Sequence, residues 1–287
     1  MRVSVVLTTY NAPDWLAKVV WGYSVQSHRD FELLIADDGS TDETAACIEY
    51  LRRSTDLVIR HVWHEHCGFR KCTILNRAIE LARGDYLVFS DGDCIPRWDF
   101  LQQHLALAER GRFLSGGAIR LPMGLSQAIT PQDIFTGRVT RPAWLRARGL
   151  TSHKYLLRLA LGYRIARLLD VLTPTKPTWN GGNSSAWKSD ILRVNGFDER
   201  MAHGGLDREL GQRLVNAGVR PKQVRHRAIC LHLDHDRAYA SPDGLARNRA
   251  IRRQTQRRRV VWTRYGITQG TLPAEPPETT PQVTLPS

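Results

Sequence analysis

Two carboxylates separated by a single glycine are the residues of this sequence with the clearest capacity for chemistry. Asp91-Gly92-Asp93 follows the apolar run Tyr86–Phe89, so both acids stand at the end of a predicted strand. Carboxylate oxygens bind hard divalent cations, and Mg²⁺ is often held by one or two carboxylates together with substrate phosphates. Asp-Gly is also a common turn sequence. We favour metal binding over a solvated turn because polar groups follow other predicted strands as well.

Polar side chains also follow the first two predicted strands. The apolar run Val3–Leu7 ends at Thr8-Thr9-Tyr10-Asn11, and the run Phe31–Ala36 ends at Asp37-Asp38-Gly39-Ser40. An aspartate at such a position can accept hydrogen bonds from a ribose or from the imide of a base, or it can form an Asx turn before the next helix. We therefore interpret this pair as divided, with one aspartate binding a ligand and the other shaping the turn.

These polar clusters belong to one edge of a predicted sheet. Over residues 1–120, continuous apolar strands alternate with helical patterns, which is typical of a buried, mostly parallel sheet with right-handed crossovers. Ligands bind such sheets at the carboxyl ends of the strands. We expect three polar pairs to meet there: Thr9 and Asn11, Asp37 and Asp38, and Asp91 and Asp93.

Candidate chemistry also lies outside these strand ends. Arg70 and Lys71 open a predicted helix, where their charges oppose the helix dipole, and this favours a role towards phosphate. Asp207 opens a later helix and is either a helix cap or a general base. His232 and His235 follow a predicted strand, and either can complete a metal's ligand set or be an ordinary hydrogen-bonded histidine.

The composition narrows the class of protein. The 287 residues include 41 Lys and Arg against 28 Asp and Glu, a net charge of +13, which predicts a polyanionic partner such as a phosphorylated substrate, nucleic acid or an anionic membrane. Five cysteines without a Cys-x-x-Cys pair favour neither a disulfide framework nor a zinc knuckle. We find no signal peptide and no run of about 18 apolar residues, and therefore expect a cytoplasmic protein.

The chain divides into segments of different character. From 138 to 169 there are eight Lys or Arg residues and no acid. Within this stretch, apolar and basic residues over 155–169 alternate at helical spacing, which fits a basic amphipathic helix on a membrane surface or a helix packed on the domain with a solvated basic face. The predicted segments are a first sheet half (1–120), a basic helical insert (121–177), a second half (178–240), an Arg-rich C-terminal helix (241–267) and a disordered tail (268–287).

The order of these motifs resembles the family-2 inverting glycosyltransferases of the GT-A fold. The resemblance covers about residues 1–240, and it implies a three-layer α/β/α domain with a mostly parallel central sheet. In the second half the motifs are similar to the branch with a galactosyltransferase-type C-terminal region, which includes chondroitin polymerase modules and many bacterial surface-polysaccharide transferases. The motifs are Ser4-Val5-Val6-Leu7-Thr8-Thr9-Tyr10-Asn11, Asp37-Asp38-Gly39-Ser40-Thr41-Asp42, Gly68-Phe69-Arg70-Lys71, Asp91-Gly92-Asp93, Asn180-Gly181-Gly182-Asn183, Gly196-Phe197-Asp198-Glu199 and Gly205-Leu206-Asp207-Arg208-Glu209-Leu210.

The resemblance also implies roles for individual residues. The segment 1–120 would bind a nucleotide sugar, with Asp207 in 178–240 as the catalytic base. The metal Mn²⁺ or Mg²⁺ would be held by Asp91 and Asp93, with His235 or His232 as a third ligand. The residues expected around the nucleotide, its diphosphate and the donor sugar are Thr9, Asn11, Asp37, Asp38, Arg70, Asp91, Gly182 and Asn183.

The implied reaction moves a hexose or an N-acetylhexosamine from a UDP-sugar to a hydroxyl of a glycan or lipid-linked glycan in polysaccharide or lipopolysaccharide synthesis. We also expect contact with an anionic membrane surface, at the inner face of the membrane. We do not expect a nucleic acid partner. Relatives commonly carry Glu-Asp where this chain has Leu206-Asp207. The position of the base is kept but its acidic neighbour is lost, so the resemblance predicts the reaction better than it predicts the acceptor. Two alternatives are a nucleic-acid-binding protein that uses the basic helix at 245–264 and a nucleotidyltransferase that releases pyrophosphate.

Overall fold

Ten strands form two sheets in the part of the chain that the structure describes. The structure is a computed structural model that describes residues 1–174, 176, 178–235 and 241–268. The strands are β1 (Val3–Thr9), β2 (Phe31–Asp37), β3 (Val58–Trp63), β4 (Tyr86–Asp91), β5 (Cys94–Pro96), β6 (Arg112–Ser115), β7 (Gly117–Arg120), β8 (Ser184–Trp187), β9 (Arg220–Gln223) and β10 (Ile229–His232).

The large sheet is mostly parallel, as the sequence predicts. Its strand order is β3-β2-β1-β4-β8-β6-β9, and β8 alone among these runs antiparallel to its two neighbours. The register places Thr8 beside Asp91 and Thr9 beside Asp37, so the polar ends of β1, β2 and β4 lie side by side. The small sheet has the order β5-β10-β7 and brings His232 next to Cys94.

Helices cover both faces of the large sheet and complete three layers. The helices are α1 (Pro13–Ser24), α2 (Asp42–Ser54), α3 (Lys71–Leu81), α4 (Phe100–Leu107), α5 (Met123–Ala128), α6 (Pro131–Phe135), α7 (Pro142–Ala147), α8 (His153–Ala160), α9 (Tyr163–Leu172), α10 (Lys188–Arg193), α11 (Leu206–Asn216) and α12 (Pro242–Arg257). Pro13 begins α1 because its fixed φ suits a first helical turn and its missing N–H has no partner there.

Alternate side chains of each central strand enter different cores. Val5 of β1 packs in the core that contains α1, α2 and α4, whereas Val6 packs in the core that contains α3, α10 and α11. Both faces are therefore buried, which explains why the strands read as continuous apolar runs. Burial at about 25 cal/mol per Å² of apolar surface is the main force that holds these layers together.

The predicted insert at 121–177 is helical, and part of it packs into the core that contains α1, α2 and α4. Its buried apolar residues include Leu125, Ile134, Leu145 and Leu156. A single amphipathic helix over 155–169 is wrong, because extended backbone at Leu161 and Gly162 separates α8 from α9. Glycine is a poor helix former, which accounts for a break at this point. Within the described ranges, no helix has both the length and the apolar character needed to cross a bilayer.

The Arg-rich helix is shorter than the predicted segment 241–267, since α12 ends at Arg257. Arg259 has a φ of 50°, in the left-handed region, and turns the chain away from the helix axis. The amide of Asn195 then fixes the segment that follows by donating to the carbonyl oxygen of Thr263 at 2.6 Å. The tail predicted to be disordered over 268–287 lies outside the described residues from position 269 onwards.

Candidate active site

A cavity of about 730 Å³ opens at the carboxyl ends of β1, β2 and β4. The first turns of α3 and α11 complete its wall. The residues singled out in the sequence that line it are Thr9, Asn11, Asp38, Asp91, Asp93, Asp207, His232 and His235. Four of these eight are aspartates, and we call this space the acidic cavity.

Asp38 is fixed at the β2 side of the acidic cavity. Its Oδ1 lies 2.8 Å from Nε2 of His64, and its Oδ2 accepts a hydrogen bond from the backbone N–H of Arg70 at 3.1 Å. Burial raises the pKa of Asp38, although these two hydrogen bonds act in the opposite direction. A carboxylate accepts about four hydrogen bonds, so Asp38 retains capacity for a ligand N–H or O–H.

Thr9 and Asn11 line the cavity beside Asp38. Thr9 Oγ1 is buried and has no hydrogen-bond partner among the described residues, which leaves a hydroxyl for a ligand. Asn11 has a φ of 44° and accepts a hydrogen bond from the N–H of Thr41 at 2.9 Å, so it joins the β1 and β2 loops. The backbone at this edge is therefore held from both strands.

Asp37 has a structural position. Its side chain is fully buried, its Oδ1 accepts from the N–H of Ser40 at 2.8 Å, and its Oδ2 lies 2.9 Å from Nε2 of His61. It does not line the acidic cavity. Asp37 therefore shapes the turn after β2, whereas Asp38 lines the acidic cavity, and the contact of Asp37 with a nucleotide stays a prediction.

Lys71 occupies the position that the sequence assigned to Arg70. The guanidinium of Arg70 donates to the carbonyl oxygen of Glu65 at 2.5 Å and does not line the acidic cavity. Lys71, one residue later, reaches Asp91 Oδ1 with its ammonium at 2.7 Å. The helical phase of α3 selects Lys71, and the spacing of the motif alone does not reveal which cation faces inwards.

The Lys71 ammonium is the fixed positive charge of the acidic cavity. Burial works against its charged form, but the carboxylates of Asp91 and Asp207 outweigh burial and raise the pKa of Lys71. Thr8 also donates its hydroxyl to Asp91 Oδ1, at 2.8 Å. Asp91 is thus a partner of Lys71 and Thr8 as well as a candidate metal ligand.

Asp93 gathers the histidines predicted to complete a metal site. Its Oδ2 lies 2.9 Å from Nε2 of His235 and 3.6 Å from Nε2 of His232. Ligand atoms of Asp93, Cys94 and His232 all lie within 4.8 Å of one another. Burial opposes ionisation of Asp93, but the hydrogen bond from His235 and the charge of His232 outweigh it, and its pKa is lowered.

This donor set fits a divalent cation. Carboxylate oxygen suits Mg²⁺ and Mn²⁺, and imidazole nitrogen adds a ligand that borderline transition metals accept. The hydrogen bond with Cys230 and burial raise the pKa of the Cys94 thiol well above its usual value, so Cys94 is a neutral thiol. The residues that would hold the ion are therefore Asp93, His232 and His235, with Asp91 beside them.

Asp207 faces this cluster from the start of α11. Gly204 and Gly205 precede it with φ values of 93° and 94°, a left-handed pair that turns the chain into the helix. Asp207 Oδ1 is buried without a hydrogen-bond partner among the described residues. Burial, reinforced by the charge of Asp91 and opposed by Lys71, raises the pKa of Asp207 to about 6. A carboxylate with such a pKa is suited to take a proton near neutral pH.

Gly182 and Asn183 lie just before β8, next to the acidic cavity. A Cβ on Gly182 would lie 3.1 Å from Asp91 Oδ2, so its missing side chain lets the chain pass close to that carboxylate. Asn183 is fully buried, donates to the carbonyl oxygen of Ala228 at 3.0 Å and lies 3.0 Å from Nε2 of His104. Asn183 therefore links the two sheets in the structure, and its contact with a donor sugar stays a prediction.

The fold of this chain is shared with solved glycosyltransferase structures. Mannosyltransferase PcManGT from Pyrobaculum calidifontis, in complex with GDP-Man and Mn²⁺, matches with a TM-score of 0.56 and 21% identity over 83% of this chain and 58% of that chain. S. aureus TarS 1-349, in complex with UDP-GlcNAc, matches with a TM-score of 0.58 and 16% identity over 91% of this chain and 70% of that chain. This chain therefore has the GT-A fold.

Sequence comparison identifies the family within this class. The family model described as glycosyl transferase family 2 matches residues 4–156, and the model described as the N-terminal domain of galactosyltransferase matches residues 173–236. The first match covers more than half of the chain. The chain belongs to glycosyl transferase family 2.

Curated relatives are bacterial glycosyltransferases. Validoxylamine A glucosyltransferase of Streptomyces hygroscopicus subsp. jinggangensis is 28% identical over 253 residues, 83% of this chain and 56% of that protein. The amylovoran biosynthesis glycosyltransferase AmsB of Erwinia amylovora is 35% identical over 37% of this chain and 36% of that protein. The putative teichuronic acid biosynthesis glycosyltransferase TuaG of Bacillus subtilis is 31% identical over 46% of this chain and 51% of that protein. The matched region spans at most 56% of the length of these three relatives.

Proposed function

We propose that this glycosyltransferase is a metal-dependent, inverting enzyme that uses a UDP-sugar. It moves a hexose or an N-acetylhexosamine to a hydroxyl of a glycan or lipid-linked glycan in bacterial surface polysaccharide or lipopolysaccharide synthesis. Relatives named for amylovoran and teichuronic acid biosynthesis support the pathway class. The solved neighbour in complex with UDP-GlcNAc supports the donor class.

One observation carries this proposal. The acidic cavity holds a carboxylate with a pKa near neutrality, Asp207, together with the metal-compatible group around Asp93. A group-transfer reaction with a diphosphate leaving group needs both a base for the nucleophile and positive charge for the leaving group. The two requirements meet in a single space of this protein.

The proposed reaction assigns a step to each group. Asp207 accepts the proton of the acceptor hydroxyl, whose oxygen forms a bond to the anomeric carbon of the donor sugar. The bond from that carbon to the diphosphate breaks, UDP leaves with the electron pair, and the configuration inverts. Asp93, His232 and His235 would hold a divalent cation, which would supply positive charge for the leaving diphosphate. Lys71 adds a fixed positive charge, and Asp38 and Thr9 hold the nucleoside.

UDP release tests the proposal directly. Purified protein is incubated with a panel of UDP-sugars and Mn²⁺, with and without EDTA, for the wild type, Asp93→Ala and the control Asp30→Ala, which removes an exposed carboxylate outside the acidic cavity. We expect slow hydrolysis of one UDP-sugar that EDTA abolishes and that Asp93→Ala reduces by roughly 100-fold or more. The Asp30→Ala protein should match the wild type.

The same assay separates the competing reaction class. Release of pyrophosphate from nucleoside triphosphates, with no UDP from any UDP-sugar, would identify a nucleotidyltransferase. Absence of both UDP release and metal-dependent UDP binding would overturn the proposal, because UDP binding does not require an acceptor.

A surface contact belongs to the proposed function as well. We propose that α9 rests on an anionic membrane surface at the inner face of the membrane. Its apolar side chains are exposed, up to 77% at Val171, although they would normally pack inwards. Arg164 and Arg167 lie among them and give the surface the sign that attracts anionic lipids. We call this set the α9 surface: Tyr163, Arg164, Ile165, Arg167, Leu168, Val171 and Leu172.

A further inference from the structure

A second cavity, of about 690 Å³, lies on the other side of Asp207. It shares Gly204, Gly205 and Asp207 with the acidic cavity, so a ligand in either space reaches the same carboxylate. Seven of its lining side chains are lysine or arginine, and Asp207 is the one carboxylate in its described lining. We call this space the basic cavity.

Three arginines form the inner part of the basic cavity. Arg158 is buried, and Arg225 and Arg252 are half-buried. Arg158 donates to the carbonyl oxygen of Ala118 at 3.4 Å, and Arg225 donates to the side-chain oxygen of Gln223 at 3.0 Å when that amide is oriented to satisfy both groups. Within the described ranges, none of the three arginines forms an ion pair with an acid. Among the described residues, only more distant carboxylates, Asp170 for Arg158 and Glu209 for Arg252, partly offset these positive charges.

The inner arginines repel one another and their neighbours. Burial, followed by the nearby charge of Arg225, lowers the pKa of Arg158, and burial, followed by the charge of Arg208, lowers that of Arg252. Burying like charges together opposes folding unless an opposite charge joins them. A bound anion would relieve this repulsion.

Two glycines give the arginines their room. A Cβ on Gly205 would lie 3.0 Å from Cδ of Arg252, and a Cβ on Gly117 would lie 3.2 Å from Cβ of Arg225. The remaining basic side chains of the cavity are exposed and form its rim, and they are Lys154, Lys176, Arg208 and Arg249. The backbone is thus shaped to bring several guanidinium groups close to the site of proton transfer.

We infer that the basic cavity binds a phosphate group of the acceptor, with the acceptor hydroxyl beside Asp207. This inference rests on the proposed function and names the chemical class of its acceptor. Guanidinium groups bind phosphate oxygens through paired charge-assisted hydrogen bonds, and a phosphate offers more charge and more acceptor oxygens than a sugar carboxylate. The phosphate belongs either to a phosphorylated glycan or to the diphosphate of a lipid-linked glycan.

Calorimetry with pyrophosphate tests the binding step on the full chain. EDTA is present so that no cation holds the probe in the acidic cavity, and the proteins are the wild type, Arg225→Gln, Arg252→Gln and the control Arg253→Gln. Arg253 is an exposed neighbour on α12 that does not line the basic cavity. We expect a dissociation constant about tenfold larger for each inner variant and unchanged for the control.

A structural effect of these substitutions is separated from loss of charge by a second variant. Arg252→Lys keeps the positive charge but loses the paired hydrogen bonds of the guanidinium, so it should retain part of the pyrophosphate affinity that Arg252→Gln loses. Equal affinity in the wild type, both inner glutamine variants and the control would overturn the inference, whatever the donor assay shows.

Acceptor kinetics identify the source of the phosphate. The acceptors compared are one sugar, its phosphate ester, the corresponding uronic acid and the same sugar linked through diphosphate to an isoprenyl lipid. We expect Arg252→Gln to raise KM for the phosphorylated acceptors by about tenfold, and the control Arg253→Gln to leave both this KM and metal-dependent hydrolysis of the UDP-sugar unchanged. A lower KM for the lipid diphosphate than for the phosphate ester assigns the lipid source, and the reverse order assigns the glycan.

The two proposals fail in different ways. Equal use of the neutral sugar and the phosphorylated sugars by wild type and Arg252→Gln would contradict the basic cavity as an acceptor site, as would a preference for the uronic acid. If pyrophosphate binding depends on the inner arginines but no UDP-sugar is hydrolysed or bound, the proposed donor reaction is contradicted and the phosphate site remains.

Discussion

Asp207 determines how the proposed reaction should respond to pH. Its pKa of about 6 lies above the ordinary value of 3.8, so the carboxylate is ionised and able to accept a proton above pH 6 and is protonated below it. We expect kcat/KM to fall about tenfold for each pH unit below 6 and to level off above 7. Asp207→Asn removes the base and should lower kcat by roughly 10²–10⁴-fold.

Rate measurements from pH 4.5 to 8.5, with UDP binding measured in parallel, check this prediction. Asp207→Asn should still bind UDP with Mn²⁺, because the nucleoside is held by other residues. A rate that stays constant between pH 5 and 7 would be evidence against Asp207 as the base.

The raised pKa of Asp207 also predicts how stability depends on pH. The dependence has the opposite sign to that of an aspartate whose pKa is lowered by folding. Between about pH 4 and 6 the folded state binds more protons than the unfolded state, so stability falls as the pH rises through this range. Asparagine does not titrate, and Asp207→Asn should be more stable than wild type at pH 7 by about 1–3 kcal/mol. Urea denaturation at pH 4 and pH 7 measures the difference, which should nearly vanish at pH 4.

Residue types and spacing predict the strand-end residues of the site but not the direction of every side chain. Asp38 and Asp93 both line the acidic cavity. The sequence pattern predicts this because each follows a buried apolar strand, and neighbouring parallel strands end at the same edge of the sheet. Asp37, Arg70 and Asn183 were assigned to ligands, but local hydrogen bonds turn each of them elsewhere. The bonds of Asp37 with His61 and of Asn183 with Ala228 join residues far apart in the sequence, so no local pattern reports them, whereas Arg70 binds the nearby carbonyl oxygen of Glu65.

At the scale of elements, α12 positions the start of α11. The buried side chain of Asn248 donates to the carbonyl oxygens of Ala202 and Gly204, each at 2.8 Å, and accepts from the N–H of Ala202 at 3.1 Å. Asp207 follows three residues after Gly204. We expect Asn248→Ala to lower the free energy of unfolding by about 1–3 kcal/mol, because it leaves buried backbone groups unpaired.

Activity should fall when the Asn248 hydrogen bonds are lost, because the loop that leads into α11 and Asp207 loses its support. Denaturation and UDP release are measured for Asn248→Ala and for Arg247→Ala, which removes an exposed side chain of the same helix. The control should match the wild type in both assays. Unchanged kcat in Asn248→Ala would show that α12 does not position the base.

The basic helix also bears on the nucleic-acid alternative. Its sequence pattern predicts an arginine-rich surface, and the sequence cannot show what the helix packs against. In the structure, Arg249 and Arg252 line the basic cavity next to Asp207, and Thr255 donates to Glu209 of α11 at 2.9 Å. The position of the helix therefore favours a small phosphate ligand at the reaction site over an extended nucleic acid.

At the scale of the whole molecule, part of the positive charge behind the net +13 lies in the basic cavity and on the α9 surface. Lys154 and Arg158 on α8 line the basic cavity, and the α9 surface begins three residues after α8 ends. A lipid-linked acceptor has its phosphate at the membrane interface. This arrangement would let the phosphate enter the basic cavity while α9 contacts the lipid headgroups.

Vesicle sedimentation tests the α9 surface. We expect the full chain to sediment with vesicles of equal phosphatidylglycerol and phosphatidylethanolamine, to bind phosphatidylcholine vesicles weakly, and to bind less as salt rises, because exposed lipid charges are screened within about 10 Å at 0.1 M salt. Burial of an isoleucine or leucine contributes about 1.5–3 kcal/mol. The affinity of the double variant Ile165→Glu and Leu172→Glu for these vesicles should therefore be at least tenfold lower.

Tyr50→Glu is the matched control. It changes a strongly exposed apolar side chain on α2 and should bind as the wild type does. Equal sedimentation of the double variant and the wild type would show that the membrane contact lies elsewhere on the protein.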